Sequence, residues 1–393
     1  MIPEKHFSSY PRCLKQVCLT RPIHDIIATA GIMNFKNKAL ELTENIKRYK
    51  HLLIYIKGSP DPDALAAAFA LKLICEHFDI KATIDSPDPP SLPQNIKLIK
   101  DIHLPIHFKC IDEDIKKYDA YAVLDHQSVF VEGLTGIIPC AIHIDHHKKT
   151  EKKTPVDFEI LMEDIGSTSA IIILIVKELG IPFDETQWKR AATALYYGIQ
   201  TDTDNFQQAT SLDLEALALI TPHADKNFLK KVNHTPFPKE AMNFLNLALQ
   251  NQVIYKEWLI TGIGFIGEKY RDNIALLGDF LLKREDISTV VVFSLVKKDK
   301  GLTLDASFRT GDEALNLNRL IKELSKNGGA RRYKGAFQVN LDFFVHAPDP
   351  NLLWETVHDT TIEALKKKID DASTGGIGHL FKLAKRKIAS LFK

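Results

Sequence analysis

Cys140-Ala141-Ile142-His143-Ile144-Asp145-His146-His147 is the stretch on which the reading of this chain turns. Residues 140–144 are a short apolar run that stops at one carboxylate and two imidazoles. A run of that length fits a strand buried on both faces. The pattern recurs upstream: residues 120–124 end at Asp125, and residues 52–56 are followed by Asp61 and Asp63. Residues 81–84 fit a further strand before the proline-rich loop 87–93. Between and beyond these runs the periodicity is helical, over 63–78, 167–179 and 188–197. Apolar strands separated by helices predict an α/β fold, a mostly parallel sheet with helices on both faces.

The second half reads differently. Residues 206–250 are helical and link two units. Strands follow at 258–266, 288–296, 302–308 and 336–341, with a hairpin at 297–301 and helices at 274–282, 314–325 and 352–368. This is a smaller α+β domain, placed across a cleft from the first. The expected organisation is an N-terminal extension and helix (1–49), an α/β domain (50–205), a helical linker (206–250), an α+β domain (251–370), and a linker with a basic tail (371–393). Met33 could be an alternative start, with a polar helix over 34–50. In the tail, Ile377, Leu380, Phe381, Ala384, Ile388, Leu391 and Phe392 recur on one helical face. Lys382, Lys385, Arg386, Lys387 and Lys393 oppose them. Such a helix packs on protein or lies on anionic lipid.

Composition bounds the function. The chain has 393 residues, 45 % hydrophobic and 26 % charged, with formal net charge +1. It is no polycation that coats nucleic acid, so attraction for phosphate must come from a local site. The five cysteines, Cys13, Cys18, Cys75, Cys110 and Cys140, form no Cys-x-x-Cys pair and are odd in number. A disulfide framework or thiolate zinc site is not expected, and a reducing compartment is. With no secretory pattern and no spanning run, the expected location is cytoplasmic.

An isolated Asp after a strand is more often a turn former or helix cap than a ligand. Here Asp61, Asp63, Asp125 and Asp145 follow apolar strands, and Asp202 and Asp204 follow a helix. Ligands of open parallel sheets bind beyond the carboxyl ends of the strands. Converging carboxylates repel one another and need a cation. Carboxylates with one or two imidazoles suit Mn2+ or Mg2+, and two such ions can activate water and clamp a phosphoryl group.

At this point the sequence resembles the DHH phosphoesterases, in the branch with a DHH-associated C-terminal domain that holds RecJ-like nucleases, oligoribonucleases and bisphosphonucleoside phosphatases. Lys57-Gly58-Ser59-Pro60-Asp61-Pro62-Asp63-Ala64 resembles the first motif, Leu124-Asp125-His126 the second, Asp145-His146-His147 the third and Gly198-Ile199-Gln200-Thr201-Asp202-Thr203 the fourth. Gly166-Ser167-Thr168-Ser169 also stands where the family has a helix start. In the second half, Ser307-Phe308-Arg309 and the stretch from Gly328 to Gly335 are similar to the family's arginine strand and glycine loop. The resemblance covers about residues 50–345.

The resemblance implies that one ion is held by Asp61 and Asp125, and the other by Asp63, Asp125, His146 and Asp202. Asp145 would orient its neighbours, and His147 would assist the leaving oxygen. Arg309, Arg331 and Arg332 would grip a terminal phosphate, with Gly328 and Gly329 letting the backbone approach it. Two positions depart from the family. Lys57 replaces the first-motif histidine, which weakens the first ion's site and puts a cation near the chemistry. Ala330 stands where the glycine loop usually has histidine.

The expected activity is Mn2+- or Mg2+-dependent hydrolysis of phosphate esters in small nucleotides: short oligoribonucleotides, bisphosphorylated nucleosides or cyclic dinucleotides. The rivals are a nucleotide- or nucleic-acid-binding sensor with an impaired first ion site, and a pyrophosphatase or exopolyphosphatase. Expected partners are the nucleotide, a second copy in a homodimer, and a membrane or protein surface for the basic tail.

Overall fold

The computed structural model describes residues 33–90, 92–109, 111, 113–148, 154–183, 185–233, 239–298 and 301–391; at 113–114 and from 372 onward it describes backbone alone. The N-terminal extension 1–32 lies outside the described residues.

The first domain is built from α1 (Phe35–Ile46), β1 (His51–Tyr55), α2 (Pro62–His77), β2 (Lys81–Ser86), α3 (Pro93–Asp101), β3 (Ile106–Phe108), β4 (Ala120–Leu124), β5 (Cys140–Asp145), β6 (Val156–Leu161), α4 (Thr168–Leu179) and α5 (Thr186–Asp202). All residues of β4 and β5 are buried; β4 is apolar throughout, while β5 takes His143 and Asp145 into the buried layer. The sheet has six strands in the order β3-β2-β1-β4-β5-β6, and every pairing is parallel. Strand order reverses between β1 and β4, which opens a crevice at their carboxyl ends. Two helix starts point there. Asp61 caps α2 with its side chain and Pro62 takes the first helical position, where a missing N–H costs nothing. Ser167 caps α4, which ends on Gly180 in the left-handed region at φ 68°.

Helices α6 (Ser211–Ile220), α7 (Lys226–Asn233) and α8 (Lys239–Gln250) lead to the second domain. That domain comprises β7 (Val253–Tyr255), β8 (Trp258–Gly267), α9 (Asn273–Leu281), β9 (Thr289–Lys298), β10 (Gly301–Thr310), α10 (Leu317–Leu324), β11 (Gly328–Ala330), β12 (Lys334–Asn340) and α11 (Pro350–Leu391). Its sheet runs β11-β12-β10-β9-β8-β7, antiparallel throughout except for β8 beside β9. One face packs Phe293, Phe308, Leu320 and Ile321 with Ile362, Leu365 and Ile369 of α11. The other packs Val290 and Val292 with Leu277 of α9 and Leu245 of α8.

The expected fold class holds, but several elements differ from their sequence reading. α5 runs on to Asp202, so that residue lies in the last helical turn and not beyond the helix. α10 starts only at Leu317, because Asn316 caps it by accepting the Arg319 N–H. β6 escapes an apolar-run search because it is an edge strand with alternating burial. The break expected at 371–376 is absent: α11 is helical from Pro350 to Leu391. Gly375 and Gly376 are weak helix formers, at about 1 kcal/mol each, but neither removes a backbone donor as proline would. No described helix is long and apolar enough to cross a membrane.

Candidate metal centre

The crevice is lined from both sides by helix starts and strand ends. The Asp61 Oδ1 atom accepts the Ala64 N–H at 2.9 Å. Asp63, in the first turn of α2, is fully buried, and its two oxygens accept the N–H groups of Thr168 at 2.7 Å and Ser169 at 2.8 Å. The positive end of α4 therefore faces Asp63. The Thr168 hydroxyl donates to Asp125 Oδ1 at 3.0 Å. Asp125 follows β4 directly at φ 53°, a left-handed conformation in which non-glycine residues cluster at functional turns. Gly198 lets α5 approach this layer: a Cβ there would stand 2.5 Å from Ser169 Oγ and 3.1 Å from Asp63 Cα.

His146 and His147 leave the end of β5 in different roles. The His146 Nδ1–H donates to the Ile165 carbonyl at 3.3 Å, leaving Nε2 to face the carboxylates. Nε2 lies 2.9 Å from Asp202, 3.4 Å from Asp125 and 4.0 Å from Asp63. One ligand atom each from Asp63, Asp125, His146 and Asp202 fall within 4.8 Å of one another. The His147 Nδ1–H donates to Asp145 Oδ1 at 2.6 Å, which turns Nε2 towards the cleft. The second oxygen of Asp145 is buried and has no hydrogen-bond partner among the described residues.

Across the cleft, Arg331 reaches in from the turn after β11. Its guanidinium donates to Asp202 Oδ2 at 2.9 Å and lies against His146 Nε2, at 3.2 Å, and His147 Nε2. The two domains thus meet on the same atoms that form the donor group.

Excess negative charge dominates this site. Asp61 is solvent-exposed at its surface, yet the crowded crevice around it, through desolvation and then Asp125 and Asp202, pushes its carboxyl up to about 8. Burial and the same two neighbours push Asp63 well above the carboxylate range. For His146, burial favours the neutral ring, but its bonds to Asp125 and Asp202 outweigh that and raise it well above the usual value. For Asp202, burial opposes ionisation, and His146 with Arg331 outweighs it and holds the carboxyl down. Asp145 is likewise held low against its burial, by the bond from His147. With its Nδ1–H held by the Ile165 carbonyl, His146 would give up the Nε2 proton to become a ligand, and with the three carboxylates it would then form a hard donor set. That set fits a divalent ion such as Mn2+ or Mg2+.

The other expected residues are placed less centrally. Asp61 is outside the four-donor group. The Lys57 ammonium donates to the carbonyls of Ser128 at 3.0 Å and Phe130 at 2.7 Å, so it anchors the loop after β4 instead of facing a substrate. His126 accepts the Ser128 N–H at 3.0 Å; burial and then Lys57 push its ring down to about 4.

Of the three arginines, only Arg331 reaches the donor group. Arg309 is 9 % exposed and forks onto Asp279 of α9, with Ser307 and the Phe308 carbonyl taking its remaining edge. Arg332 lies over the Tyr333 ring at 5.1 Å and pairs with Glu313 at 3.5 Å. Gly328 is a packing glycine, because a Cβ would stand 2.6 Å from Ile321 and 2.7 Å from Phe337. At Gly329 a Cβ would make only an ordinary contact, 3.6 Å from Asn318 Oδ1. Asp204 sits at φ 52°, 3.7 Å from Lys334. Thr168, Ser169 and the Ile165 carbonyl complete the site and were not read as functional. The Gly-Ser-Thr-Ser helix start was their signal, but nothing in sequence ties it to Asp63, over a hundred positions earlier.

A doubly wound sheet, a carboxylate–imidazole group at its switch point and an arginine delivered by a second domain define the class as a two-domain α/β protein with a divalent-metal type of centre. Residues 51–199 match the DHH family, N-terminal domain, a family whose members are metal-dependent phosphoesterases. It is 32 % identical over 333 residues to the uncharacterized protein MJ1633 of Methanocaldococcus jannaschii, covering 84 % of this chain and 65 % of that protein. It is 30 % identical over 185 residues to MJ0988 of the same organism, covering 46 % of this chain and 54 % of that one. The chain therefore spans less than two thirds of either relative. Among solved structures, an exopolyphosphatase-related protein from Bacteroides fragilis shares the fold with a TM-score of 0.62 at 15 % identity, over 86 % of this chain and all of that one.

Proposed function

We propose that this protein is a divalent-metal-dependent phosphoesterase that hydrolyses phosphate ester bonds in small nucleotides. The observation that carries the reading is the convergence of Asp63, Asp125, His146 and Asp202 within 4.8 Å at the switch point, faced by Arg331. These four residues would hold a Mn2+ or Mg2+ ion. When bound, such an ion polarises a phosphoryl oxygen and makes water a stronger nucleophile.

The chain's own groups supply the rest. Asp145 fixes the His147 ring with Nε2 towards the cleft, where the protonated ring can give its proton to the leaving oxygen. Arg331 offers a planar fork to phosphate, and its contacts with Asp202, His146 and His147 must be exchanged for that task, which also frees His147 Nε2. The stacked pair Arg332–Tyr333 on the same turn suits a base beside the phosphate. A cleft capped by a second domain on a near-neutral chain suits a short substrate over long duplex DNA.

The first ion site is the weak point. With Lys57 tied to the 128–130 loop, Asp61 and Asp125 are left as its protein ligands. That observation favours one secure ion. It also gives a second reading, a nucleotide sensor with slow turnover.

The test is a substrate panel with added Mn2+: a diribonucleotide, a 3′,5′-bisphosphorylated nucleoside, a cyclic dinucleotide, pyrophosphate and polyphosphate. Hydrolysis of one of the first three that is lost in the double variant Asp145→Ala, His146→Ala supports the reading. Turnover confined to pyrophosphate or polyphosphate replaces the substrate class. Tight, metal-independent nucleotide binding without turnover favours the sensor.

A further inference from the structure

The basic tail is absorbed by none of this chemistry. Helix α11 is held to the second domain through Ile362, Leu365 and Ile369, and near this anchor Asp370 bonds Tyr255 and Lys256. The helical backbone then continues to Leu391. Past that anchor the sequence changes character. Residues 372–393 contain Lys382, Lys385, Arg386, Lys387 and Lys393 and no acidic residue. A chain with net charge of only +1 has thus gathered cations at one end, so the remainder is net acidic.

On an α-helix, at about 100° per residue, Ile377, Leu380, Phe381, Ala384, Ile388 and Leu391 share one arc. Lys382 and Arg386 belong to the opposite arc, with Lys385 and Lys387 near the two borders. Border lysines suit a helix lying in an interface, since their long stems let the ammonium reach water while the arc is buried. No described helix of the chain can span a bilayer, so contact with lipid would be in the plane of the surface.

We propose that residues 372–391 form an amphipathic segment of α11 that docks the protein on an anionic lipid surface. Two features select this occupant. A helix that only neutralised nucleic acid would need the cations but not a bulky apolar arc. One that packed on another protein has no need for a face of cations unrelieved by a single acid. Apolar burial plus attraction for anionic headgroups is the combination such helices use. Docking would hold the phosphoesterase domain beside the membrane without inserting it, and it does not depend on what that domain hydrolyses.

The experiment is co-sedimentation of the full chain with large unilamellar vesicles, either phosphatidylcholine alone or phosphatidylcholine with phosphatidylglycerol. Two variants accompany it: Lys382→Gln with Lys385→Gln, Arg386→Gln and Lys387→Gln, and Phe381→Ser with Ile388→Ser. A thermal melt of each variant matching the native chain shows that the domains remain folded. The expected result is at least tenfold stronger partition into the anionic vesicles, weakening as salt is raised and lost in both variants. Equal partition into the two vesicle types overturns the proposal. So does anionic binding that survives the Phe381, Ile388 variant, because a polycation alone then explains it. Absence of vesicle binding with retention on RNA assigns the tail to nucleic acid and overturns it as well.

Discussion

The two histidines that close β5 are separated by what each Nδ1 holds. His146 gives its Nδ1–H to a main-chain carbonyl and keeps Nε2 for the carboxylates; His147 gives its own to Asp145 and keeps Nε2 for the cleft. His146→Ala should therefore abolish Mn2+ binding in calorimetric titration, a loss of at least about 100-fold, as for removal of a primary ligand. His147→Ala should leave Mn2+ affinity within about threefold and lower kcat by about 10²–10⁴, the range of a general acid. Arg331 divides its effects in another way. Its guanidinium occupies His146 Nε2 and Asp202 Oδ2, so Arg331→Gln should tighten Mn2+ binding while lowering kcat/KM for a phosphorylated substrate. If both quantities fall together, the arginine does not compete for the donor atoms.

The acidity of the site gives the metal-free protein a defined pH response. The Asp61 carboxyl sits at about 8 in the folded chain against an ordinary 3.8, and Asp63 is raised as well. A raised folded value means that this stabilisation is complete below about pH 4. It is lost as pH rises through about 8, because the folded state binds protons that the unfolded chain has released. Melting of the metal-free protein should thus occur at lower temperature at pH 8 than at pH 6. Mn2+ should restore more of the loss at pH 8, since it favours the ionised carboxylates. A melt insensitive to pH across this window would contradict the crowded-carboxylate picture.

Among elements, the start of α4 and the last turn of α5 set the geometry. Gly198 is where α5 meets the layer carrying Ser169 and Asp63. Gly198→Ala inserts a methyl into that contact and should cost about 1–3 kcal/mol in denaturant unfolding, the range of core overpacking. It should also weaken Mn2+ binding by moving Asp202. Lys57→Met should free the 128–130 loop to faster proteolysis while leaving folded stability within about 1 kcal/mol, as for a half-exposed hydrogen-bonded group.

The same elements explain what could be read from sequence. Asp63, Asp125 and His146 were legible because each stands within a few residues of a buried apolar run, and a parallel sheet sends those ends to one crevice. Asp202 was legible through its motif, although its helix was drawn too short. The arginines were not separable. Arg309 lies near the end of β10 and Arg331 just after β11, and only the facing of β10 on α9 shows that Asp279 takes the first. Lys57 looked like a cation near the chemistry because its carbonyl partners lie about seventy positions away.

For the whole molecule, Arg331, joined by Lys334 near Asp204, brings the second domain onto the first at the place where substrate would lie. If the crevice binds metal and nucleotide as proposed, both would compete for these contacts and so be linked to domain closure. Loading with Mn2+ should release Arg331 from Asp202 and open the cleft, read as a larger radius of gyration in solution scattering; added nucleotide should reverse the change. An unchanged radius through both additions would mean that the domains do not move. The central claim, that this crevice is a metal-dependent phosphoesterase centre, is tested most directly by mononucleotide release from a diribonucleotide. Native chain and His146→Ala are assayed with and without Mn2+. The account predicts release by the native chain only with the metal, reduced at least about 100-fold in the variant. Release that needs no metal, or that persists undiminished in His146→Ala, would contradict it.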